Sequence, residues 1–595
     1  MKKKQENKKI IFKEKKIYDY ILIVIFTLFL ILFTTSKLTN EDDYFWHMAT
    51  GRYIMQTGEI PSTDVFSFPT AGERWFATEW GWGVLTYNIF NSFGYTGLSV
   101  LNTLIYLTLF GILIYMSRKF RVSCSIIILF LTVLSFGIFE RLTPRPHSIT
   151  YLFYVLLICA LVNFKYFNRE KKHYLYLLPL MFLIWANIHM GCMIGLVIFG
   201  VFIASELIIY LKPAKFSSKE LRALSKAELV KITLIFIACG LSMIINPHGI
   251  TTYMYATYAH ASSKMLQEAV MEWLSPFDAR FSGKFHVVIY MFFLFSGLAV
   301  LYYSVKKKDL FAAVILILFA FNSLRALRFT IDFMLIVFIF YIVSVNFIIN
   351  NLKTTGVKNF ITGKPALKII LSVVLIYFIY SIPDNSLYHK QLKYTRFFGT
   401  GIDENYYPVK MFDFINENKI ASLGQKPFNT FEIGGFFLWN FPGKQNFFDS
   451  RDLNDFIMNE YQVIYSKLQG YEKKMVHYNF DYAIYVVPDI ASEPQLLKKN
   501  VGSYFSAKTD VWKLVWWNDC SLLFVKDIPV YTDIIKKYSY KYFTPYNLFF
   551  NKSVIDKAFD DDKEQVISEF NRKLSEDPKG IFVSIAMRSY GKRLN

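Results

Sequence analysis

Long runs of apolar residues, separated by short polar segments, fill the first two thirds of the chain. About 20 such residues in a helix cross the roughly 30 Å of hydrocarbon in a bilayer. The pattern therefore predicts a polytopic α-helical membrane protein with about eleven transmembrane helices. The predicted spans are 18–35, 98–117, 122–139, 149–164, 174–190, 191–211, 232–245, 285–305, 310–324, 329–349 and 366–382.

The pattern changes at Asp384, where polar helical stretches begin to alternate with short β-rich runs. Such alternation is typical of an α/β domain. We predict a transmembrane domain over 1–383, with an outer loop at 36–97, and an α/β domain over 384–595 that ends in helices after Val530. The predicted strands are 435–439, 445–449, 482–487, 512–517 and 521–525, with helix-length segments such as 452–470 and 491–500 between them.

The distribution of lysine predicts the topology, because positive charges in short loops stay on the cytoplasmic side. With eleven spans, the lysine-rich N-terminus and the loops 118–121, 165–172, 212–231, 306–308 and 353–368 share that side. The odd count makes the C-terminal domain extracytoplasmic in a multi-pass plasma (inner) membrane protein. The apolar stretch Gly81–Phe93 would invert this agreement if it crossed, so we predict an amphipathic helix in the outer interface.

Composition fits this class, with 54% hydrophobic residues, 60 Phe and 40 Tyr. The net charge of +20 lies mostly in the inner loops, where anionic lipid headgroups attract it, so it indicates membrane lipid and no nucleic acid partner. Only one of the five cysteines, Cys520, lies in the C-terminal region, which excludes an intrachain disulfide there.

The outer segments carry the side chains that could do chemistry. A carboxylate can act as a general base, worth roughly 10²–10⁴ in rate, and arginine forks match phosphate oxygens. These groups, together with aromatic rings that can stack on sugars, suit a ligand with both a sugar and a lipid phosphate. The candidates are Asp43, His47, Asp64, Glu79, Trp80, Arg141, Arg145, His147, His189, His248 and Arg328.

Each candidate also has a structural interpretation. Asp43 could cap a helix, and Asp64 could stabilise a turn. Arg141 and Arg145 could contact lipid headgroups. Arg328 could form a structural ion pair with Arg325 and Asp332. No pair of histidines has the His-x-x-x-His spacing of a metal site, so satisfied hydrogen-bonding histidines are favoured and the metal ligands are unknown.

The pattern Asp-x-x-Trp-His-x-x-x-Gly-Arg at 43–52, with the acidic and aromatic positions that follow up to Trp80, resembles the GT-C superfamily of integral-membrane glycosyltransferases. The likeness is to the dolichyl-phosphate-mannose–protein mannosyltransferase and aminoarabinose transferase type. It extends through Arg-Pro-His at 145–147, Trp-Ala-Asn-x-His at 185–189, Asn-Pro-His-Gly at 246–249 and Asp-Ser-Arg at 449–451. The resemblance implies a GT-C-like fold and a polyprenyl-phosphate sugar donor used outside the membrane.

In that family an acidic residue of the first outer loop is the base or metal partner. Asp43 matches this position and Asp64 matches a second acidic one. We predict transfer of a sugar to an extracytoplasmic acceptor (glycan, lipid or protein) in cell-envelope glycoconjugate synthesis. The resemblance implies no certain cofactor but allows a divalent cation, Mg²⁺ or Mn²⁺.

The predicted roles divide the candidates into three groups. Asp43, Asp64 and His47 are catalytic, Arg141, Arg145 and Arg328 bind the donor phosphate, and His147, Glu79, Trp80, His189 and His248 orient the substrate. Two other functions stay open: a transporter or flippase for a lipid-linked saccharide, and a non-catalytic envelope-assembly protein. Transport predicts polar residues at the bilayer midplane and repeated halves, which the sequence lacks.

Overall fold

The computed structural model describes residues 2–167, 173–217, 221–262, 270–350, 365–451 and 455–594. Parts of the predicted lysine-rich loops 165–172, 212–231 and 353–368 lie outside the described residues. The chain forms two compact units. The helical unit contains Met1–Leu38, Thr78–His260 and Gln267–Gly401, and the sheet unit consists mainly of Thr39–Ala77 and Ile402–Asn595.

In the helical unit each predicted apolar run overlaps a helix, but the run 174–190 includes the 3-10 turn His173–Leu177, the helix Leu178–Ala186 and a turn over 187–190. A short helix also occurs at Pro213–Phe216, with 3-10 turns at Phe139–Arg141, His173–Leu177, Met271–Trp273 and Ala279–Phe281 and a π-helical segment at Leu387–Leu392. The main helices are Lys2–Thr34, Trp80–Lys119, Cys124–Gly137, His147–Tyr166, Leu178–Ala186, Cys192–Leu211, Lys226–Met243, Thr251–Ser262, Phe285–Lys306, Leu310–Arg325, Phe329–Asn350 and Pro365–Ser381.

Five helices among the described residues are long and apolar enough to cross a membrane. They are Ile17–Thr34, Trp80–Lys119, His147–Tyr166, Cys192–Leu211 and Phe285–Lys306. Shorter apolar helices lie at Cys124–Gly137, His173–Ala186, Leu310–Arg325, Phe329–Val345 and Ala366–Ser381. The mainly helical architecture with apolar spans is confirmed, and the count of eleven spans and their orientation stay predictions.

Helix Trp80–Lys119 is broken at Gly94, whose φ of 60° and ψ of −159° are not helical. Glycine tolerates this conformation because it has no Cβ. The break separates the stretch Gly81–Phe93 from the predicted span 98–117. The sequence prediction of a separate helix there is confirmed, and its place in the membrane interface stays a prediction.

The core of the helical unit is rich in phenylalanine. Phe33 stacks on Phe29 with ring centroids 5.0 Å apart and meets Phe136 edge-on at 5.1 Å. Such ring pairs stabilise the fold by about 0.5–1.5 kcal/mol beyond the contribution of the apolar area that they bury. The helices of this unit therefore pack through fitted aromatic side chains as well as through their apolar surfaces.

The sheet unit contains a four-stranded mixed sheet in the order β1-β2-β4-β3. The strands are β1 Pro427–Asn429, β2 Tyr482–Val486, β3 Trp512–Trp517 and β4 Ser521–Lys526. β1 runs parallel to β2, β4 runs antiparallel to both β2 and β3, and the register of β3 shifts between Leu514 and Trp516. Every residue of β2 is buried, as expected for an inner strand covered on both faces.

In the sequence, helices precede, separate and follow the strands of this sheet. Among the described residues, the elements after β4 are helices and one 3-10 turn. The predicted strands at 482–487, 512–517 and 521–525 and the helical end after Val530 are confirmed. The helices are Asp43–Thr57, Val409–Glu417, Ile420–Leu423, Gly434–Asn440, Asp455–Tyr465, Tyr471–Tyr478, Gln495–Lys499, Gly502–Ala507, Thr532–Tyr538, Pro545–Phe550, Lys552–Asp561, Lys563–Glu576 and Ile581–Leu594, with 3-10 turns at Phe431–Ile433 and Pro529–Tyr531.

Two predicted strands are wrong. Residues 435–439 lie in the helix Gly434–Asn440, and 445–449 form an irregular segment. Their aromatic side chains have high β propensity, but propensity is a weak signal that tertiary contacts override. Side chains from another segment cap both ends of this helix, as described below.

Candidate functional site

The first candidate, Asp43, begins the helix Asp43–Thr57 in the sheet unit and is half-buried. Its Oδ1 accepts hydrogen bonds from Trp46 Nε1 at 3.1 Å and from Ser450 Oγ at 2.6 Å. A carboxylate in the first helical turn is favoured by the partial positive charge there. One oxygen of Asp43 is therefore held in a defined position.

Its neighbour Asp42 is buried and caps a second helix, Gly434–Asn440. The backbone N–H of Gly435 donates to Oδ2 at 2.6 Å, and that of Phe436 donates to Oδ1 at 2.9 Å. Burial raises the pKa of Asp42 well above its usual range, although these two donors act to lower it. A Cβ on Gly435 would lie 2.7 Å from the Asp42 carbonyl oxygen, so only glycine permits this approach.

Arg52 holds the other end of the same short helix. Its guanidinium donates to the carbonyl oxygens of Leu438 at 2.7 Å and Trp439 at 2.8 Å and lies 4.6 Å from the centre of the Trp439 ring. The last carbonyls of a helix have no partner inside the helix, and a helix of seven residues is not stable alone. Residues 42–52 thus fix the helix Gly434–Asn440 from both ends.

The second acidic candidate, Asp64, is buried and ion-paired with Arg451. Its Oδ1 accepts from Arg451 Nη1 at 2.8 Å and from the backbone N–H of Phe66 at 2.9 Å, and its Oδ2 accepts from Thr70 Oγ1 at 2.6 Å. Buried charges persist when they are paired and hydrogen-bonded in this way. The contacts of Asp64 favour a structural role.

Arg451 is shared between two carboxylates. Its Nε and Nη2 donate to Asp449 at 2.8 Å each, and its guanidinium lies 5.0 Å from the Phe66 ring centre and 4.8 Å from that of Trp75. Burial lowers the pKa of Arg451, but Asp449 and Asp64 outweigh it and raise the pKa above the usual value. The sequence contained the local Asp-x-Arg spacing, whereas the pairing with Asp64, 387 residues away, had no sequence signal.

Ser450 links this ion cluster to Asp43. It lies between Asp449 and Arg451 in sequence and donates its hydroxyl to Asp43 Oδ1 at 2.6 Å, with Asp42 Oδ2 at 3.3 Å. Predicted catalytic residues Asp43 and Asp64 therefore lie at the two ends of one hydrogen-bonded segment. The third, His47, is buried one turn into the helix, with its ring centroid 3.7 Å from that of Trp46.

The predicted phosphate-binding arginines lie in the helical unit, where Arg141 and Arg328 meet on Glu272. Arg141 Nη2 bonds Glu272 Oε2, and Arg328 Nη1 is 3.2 Å from Oε1. The Arg328 guanidinium lies 4.1 Å from the Trp273 ring centre. Burial acts to raise the pKa of Glu272, but Arg141, Arg328 and Arg145 outweigh it and lower the pKa to about 2.

The turn that carries Arg141 is held through its backbone. Tyr106 Oη donates to the Arg141 carbonyl at 2.6 Å, and Arg396 donates to the carbonyls of Phe139 and Leu142 at 2.9 and 3.1 Å. His147 Nε2 lies 3.2 Å from the same Arg141 carbonyl and must carry the proton, because a carbonyl only accepts. This contact of His147 positions Arg141, and its predicted role toward substrate is a separate proposal.

Glu79 and Trp80 dock on the segment Trp185–His189 in the same unit. Trp80 Nε1 donates to Asn187 Oδ1 at 3.0 Å, and Glu79 Oε1 lies 3.4 Å from His189 Nε2. The N–H of Gly191 donates to His189 Nδ1 at 3.0 Å, so that nitrogen accepts and the proton on Nε2 faces Glu79. The structure thus brings three predicted substrate-orienting residues together.

His248 belongs to a turn next to this group. Asn246 Oδ1 accepts from the His248 N–H at 3.0 Å, and Gly249 has a φ of +56°, which favours glycine. Asn187 Nδ2 donates to the neighbouring Ile245 carbonyl at 2.9 Å. The Asn-Pro-His-Gly motif is therefore a tight turn joined to the Trp-Ala-Asn-x-His motif.

Sequence reasoning missed the groups that organise these clusters. Glu272, Ser450 and Arg451 were not among the candidates, although each contacts one or two of them. Among the described residues, no group of three or more His, Cys, Asp or Glu side chains could hold a metal ion. A divalent cation stays a prediction.

No protein-family profile matches the sequence, and no curated protein matches it. Solved structures of similar fold include the oligosaccharyltransferase AglB from Archaeoglobus fulgidus with an inhibitory peptide and a dolichol-phosphate (TM-score 0.52, 10% identity, 87% of this chain and 75% of that chain). The apo form of the Archaeoglobus fulgidus enzyme has a TM-score of 0.51 at 10% identity over 86% of this chain and 75% of that one. The form tethered to an acceptor peptide has 0.50 at 10% identity over 86% and 74%. The GT-C resemblance is confirmed at the level of the fold.

Proposed function

We propose that the protein is a membrane glycosyltransferase that moves a sugar from a polyprenyl-phosphate-linked donor to an extracytoplasmic acceptor. The observation that carries the proposal is the convergence of two guanidinium groups, Arg141 and Arg328, on one anion in a chain with the AglB fold. The Archaeoglobus fulgidus structures include a dolichol-phosphate, which is a lipid phosphate, together with an inhibitory peptide and a tethered acceptor peptide.

The arginine cluster would bind the donor phosphate. A guanidinium group can donate two parallel hydrogen bonds to two oxygens of one phosphate. The Glu272 carboxylate shows that an oxyanion fits between Arg141 and Arg328. One carboxylate against two guanidinium groups leaves a net positive charge, and Arg145 adds to the positive potential at Glu272. The leaving polyprenyl phosphate would keep its negative charge beside these arginines.

Asp43 would be the general base or a metal-binding carboxylate. As a base it removes the proton from the acceptor while the acceptor attacks the anomeric carbon, and the bond between that carbon and the phosphate oxygen breaks. A single displacement of this kind inverts the anomeric centre. Ser450 and Trp46 hold one oxygen of the carboxylate, so its direction is set before substrate binds.

Asp43→Asn tests the role of Asp43. We expect transfer in proteoliposomes supplied with a polyprenyl-phosphate sugar to fall by roughly 10²–10⁴, because the amide cannot accept the proton. Glu59→Gln is the matched control, since Glu59 is an exposed carboxylate after the same helix. Normal transfer by a folded Asp43→Asn protein would exclude the base. Movement of the donor across the bilayer without transfer, by the unaltered chain, would favour the flippase instead.

A further inference from the structure

A cavity of about 160 Å³ lies in the helical unit, away from the residues assigned to sugar transfer. It is bounded by helix Lys2–Thr34, helix Trp80–Lys119 and the start of helix Cys124–Gly137. This volume is several times the roughly 30 Å³ that a water molecule occupies. The lining includes Asp19, Ile23, Ile114, Arg118, Arg121 and Ile127.

The polar residues of this cavity leave a positive charge on it. Asp19 is paired with Lys368, whose Nζ lies 2.6 Å from Oδ1. Arg118 and Arg121 are exposed, and within the described ranges neither guanidinium forms an ion pair or a side-chain hydrogen bond. Arg121 lies in the turn between the two helices with a φ of 56°, and both arginines line the cavity. With Lys368 balancing Asp19, the two arginines leave the cavity with a net positive charge.

The surroundings of the cavity have the character of a membrane interface. Tyr18, Tyr20 and Tyr115, on two of its helices, are 43%, 58% and 64% exposed. One to three turns farther along the first helix, Val24 and Leu28 are exposed apolar residues. Tyrosine favours the headgroup level and apolar side chains the acyl chains. The arginines would therefore lie at headgroup depth, with the isoleucines of the cavity beside them.

We propose that this cavity binds an anionic phospholipid, with the headgroup phosphate between Arg118 and Arg121 and the apolar part of the lipid along Ile114 and Ile23. Guanidinium groups recognise phosphate, and basic pockets between membrane helices bind anionic headgroups. A free phosphate ion is also an anion, but it has no apolar part that could contact the isoleucines of the cavity. The isoleucines therefore favour the lipid as the source of the phosphate.

Native mass spectrometry of the full-length chain with equal amounts of phosphatidylglycerol and phosphatidylethanolamine tests the proposal. We expect retention of phosphatidylglycerol in preference to phosphatidylethanolamine, and a loss of that preference by roughly tenfold or more in Arg118→Gln/Arg121→Gln. Lys306→Gln/Lys307→Gln is the control, because it removes the same charge from a predicted inner loop without touching the cavity.

Three outcomes would overturn the lipid site. The arginine variant could keep its preference for phosphatidylglycerol. The lysine control could lose as much of that preference, which would indicate general attraction of the lipid to the protein surface. Inorganic phosphate alone could bind the cavity as tightly as the lipid. Ile114→Trp adds an independent arm, because it fills the cavity and keeps both charges. It should lose the lipid while its helical content, measured by circular dichroism, is unchanged.

Discussion

The two units use the same chemical groups in opposite proportions. In the sheet unit one guanidinium, Arg451, serves two carboxylates, Asp64 and Asp449, and all three side chains are at most 1% exposed. In the helical unit one carboxylate, Glu272, serves Arg141 and Arg328, which are 12% and 28% exposed. The first cluster has a net negative charge inside the protein, and the second has a net positive charge near its surface.

This difference in charge and exposure indicates which cluster stabilises the fold and which could bind a ligand. The oxygens of Asp64 and Asp449 accept bonds from backbone, amide and hydroxyl donors as well as from Arg451, so the excess charge is compensated internally. The arginines around Glu272 carry more positive charge than the one carboxylate neutralises, and they are partly exposed to solvent. A closed cluster with excess acid holds segments together, whereas an open cluster with excess base has the means to take up an anion such as a phosphate.

The largest effect should come from breaking the closed cluster with Arg451→Met. Removing one partner of a buried ion pair leaves charge without compensation and costs about 3–5 kcal/mol. We expect the free energy of unfolding of the purified protein, measured in denaturant, to fall by that amount.

The same change at the exposed Arg588 is the control and should have little effect. Asp64→Asn and Asp449→Asn added to Arg451→Met should restore part of the stability, because no charge then stays buried. An Arg451→Met protein as stable as the unaltered chain would show that the cluster is not needed for the fold.

A smaller effect is expected when the open cluster loses its internal anion in Glu272→Gln. With a pKa of about 2, Glu272 is ionised throughout the neutral range and competes with any incoming phosphate. We expect the affinity for polyprenyl phosphate to rise by roughly tenfold or more, since hydrogen bonds to charged groups contribute about 1.5–3 kcal/mol and 1.4 kcal/mol is about tenfold. Native mass spectrometry or calorimetry in detergent measures it.

Because the lowered pKa keeps Glu272 charged until the pH approaches 2, Glu272 does not titrate between pH 5 and 8. A change in affinity over that range should come from the second ionisation of the phosphate, at about pH 6. Glu228→Gln, in a capping box of the same unit, is the control. A weaker affinity in Glu272→Gln would mean that the carboxylate orients the arginines for the ligand and does not compete with it.

The smallest effect should follow Ser450→Ala, which removes the hydroxyl between the closed cluster and Asp43. Because Asp43 is half-buried, water can replace the bond, and we expect a change in stability of about 1 kcal/mol or less. If Ser450 positions Asp43, kcat for transfer should fall while KM stays constant, and Ser450→Thr should recover activity. Ser466→Ala is an exposed control, and a change in KM alone would refute the positioning role.

The sequence located most of the groups at the candidate site but not their partners. The Asp-Asp pair at 42–43 was visible, yet its capping of a helix almost 400 residues away was not. Arg141 and Arg328 were recognised as cations, whereas Glu272 between them had no distinguishing pattern. Pairings across such separations depend on the fold, and hydrophobic periodicity reports only on neighbours along the chain.

What the sequence determined by itself is that the long apolar runs of the helical unit form helices, because such a run in a membrane must satisfy its own backbone hydrogen bonds. The tertiary structure decided the rest. Residues 435–439 have the composition of a strand but form a helix, since Asp42 and Arg52 satisfy its terminal N–H and C=O groups. Likewise, whether a carboxylate is locked in a buried ion pair, as Asp64 is, or stays half-buried, as Asp43 is, depends on partners that only folding supplies.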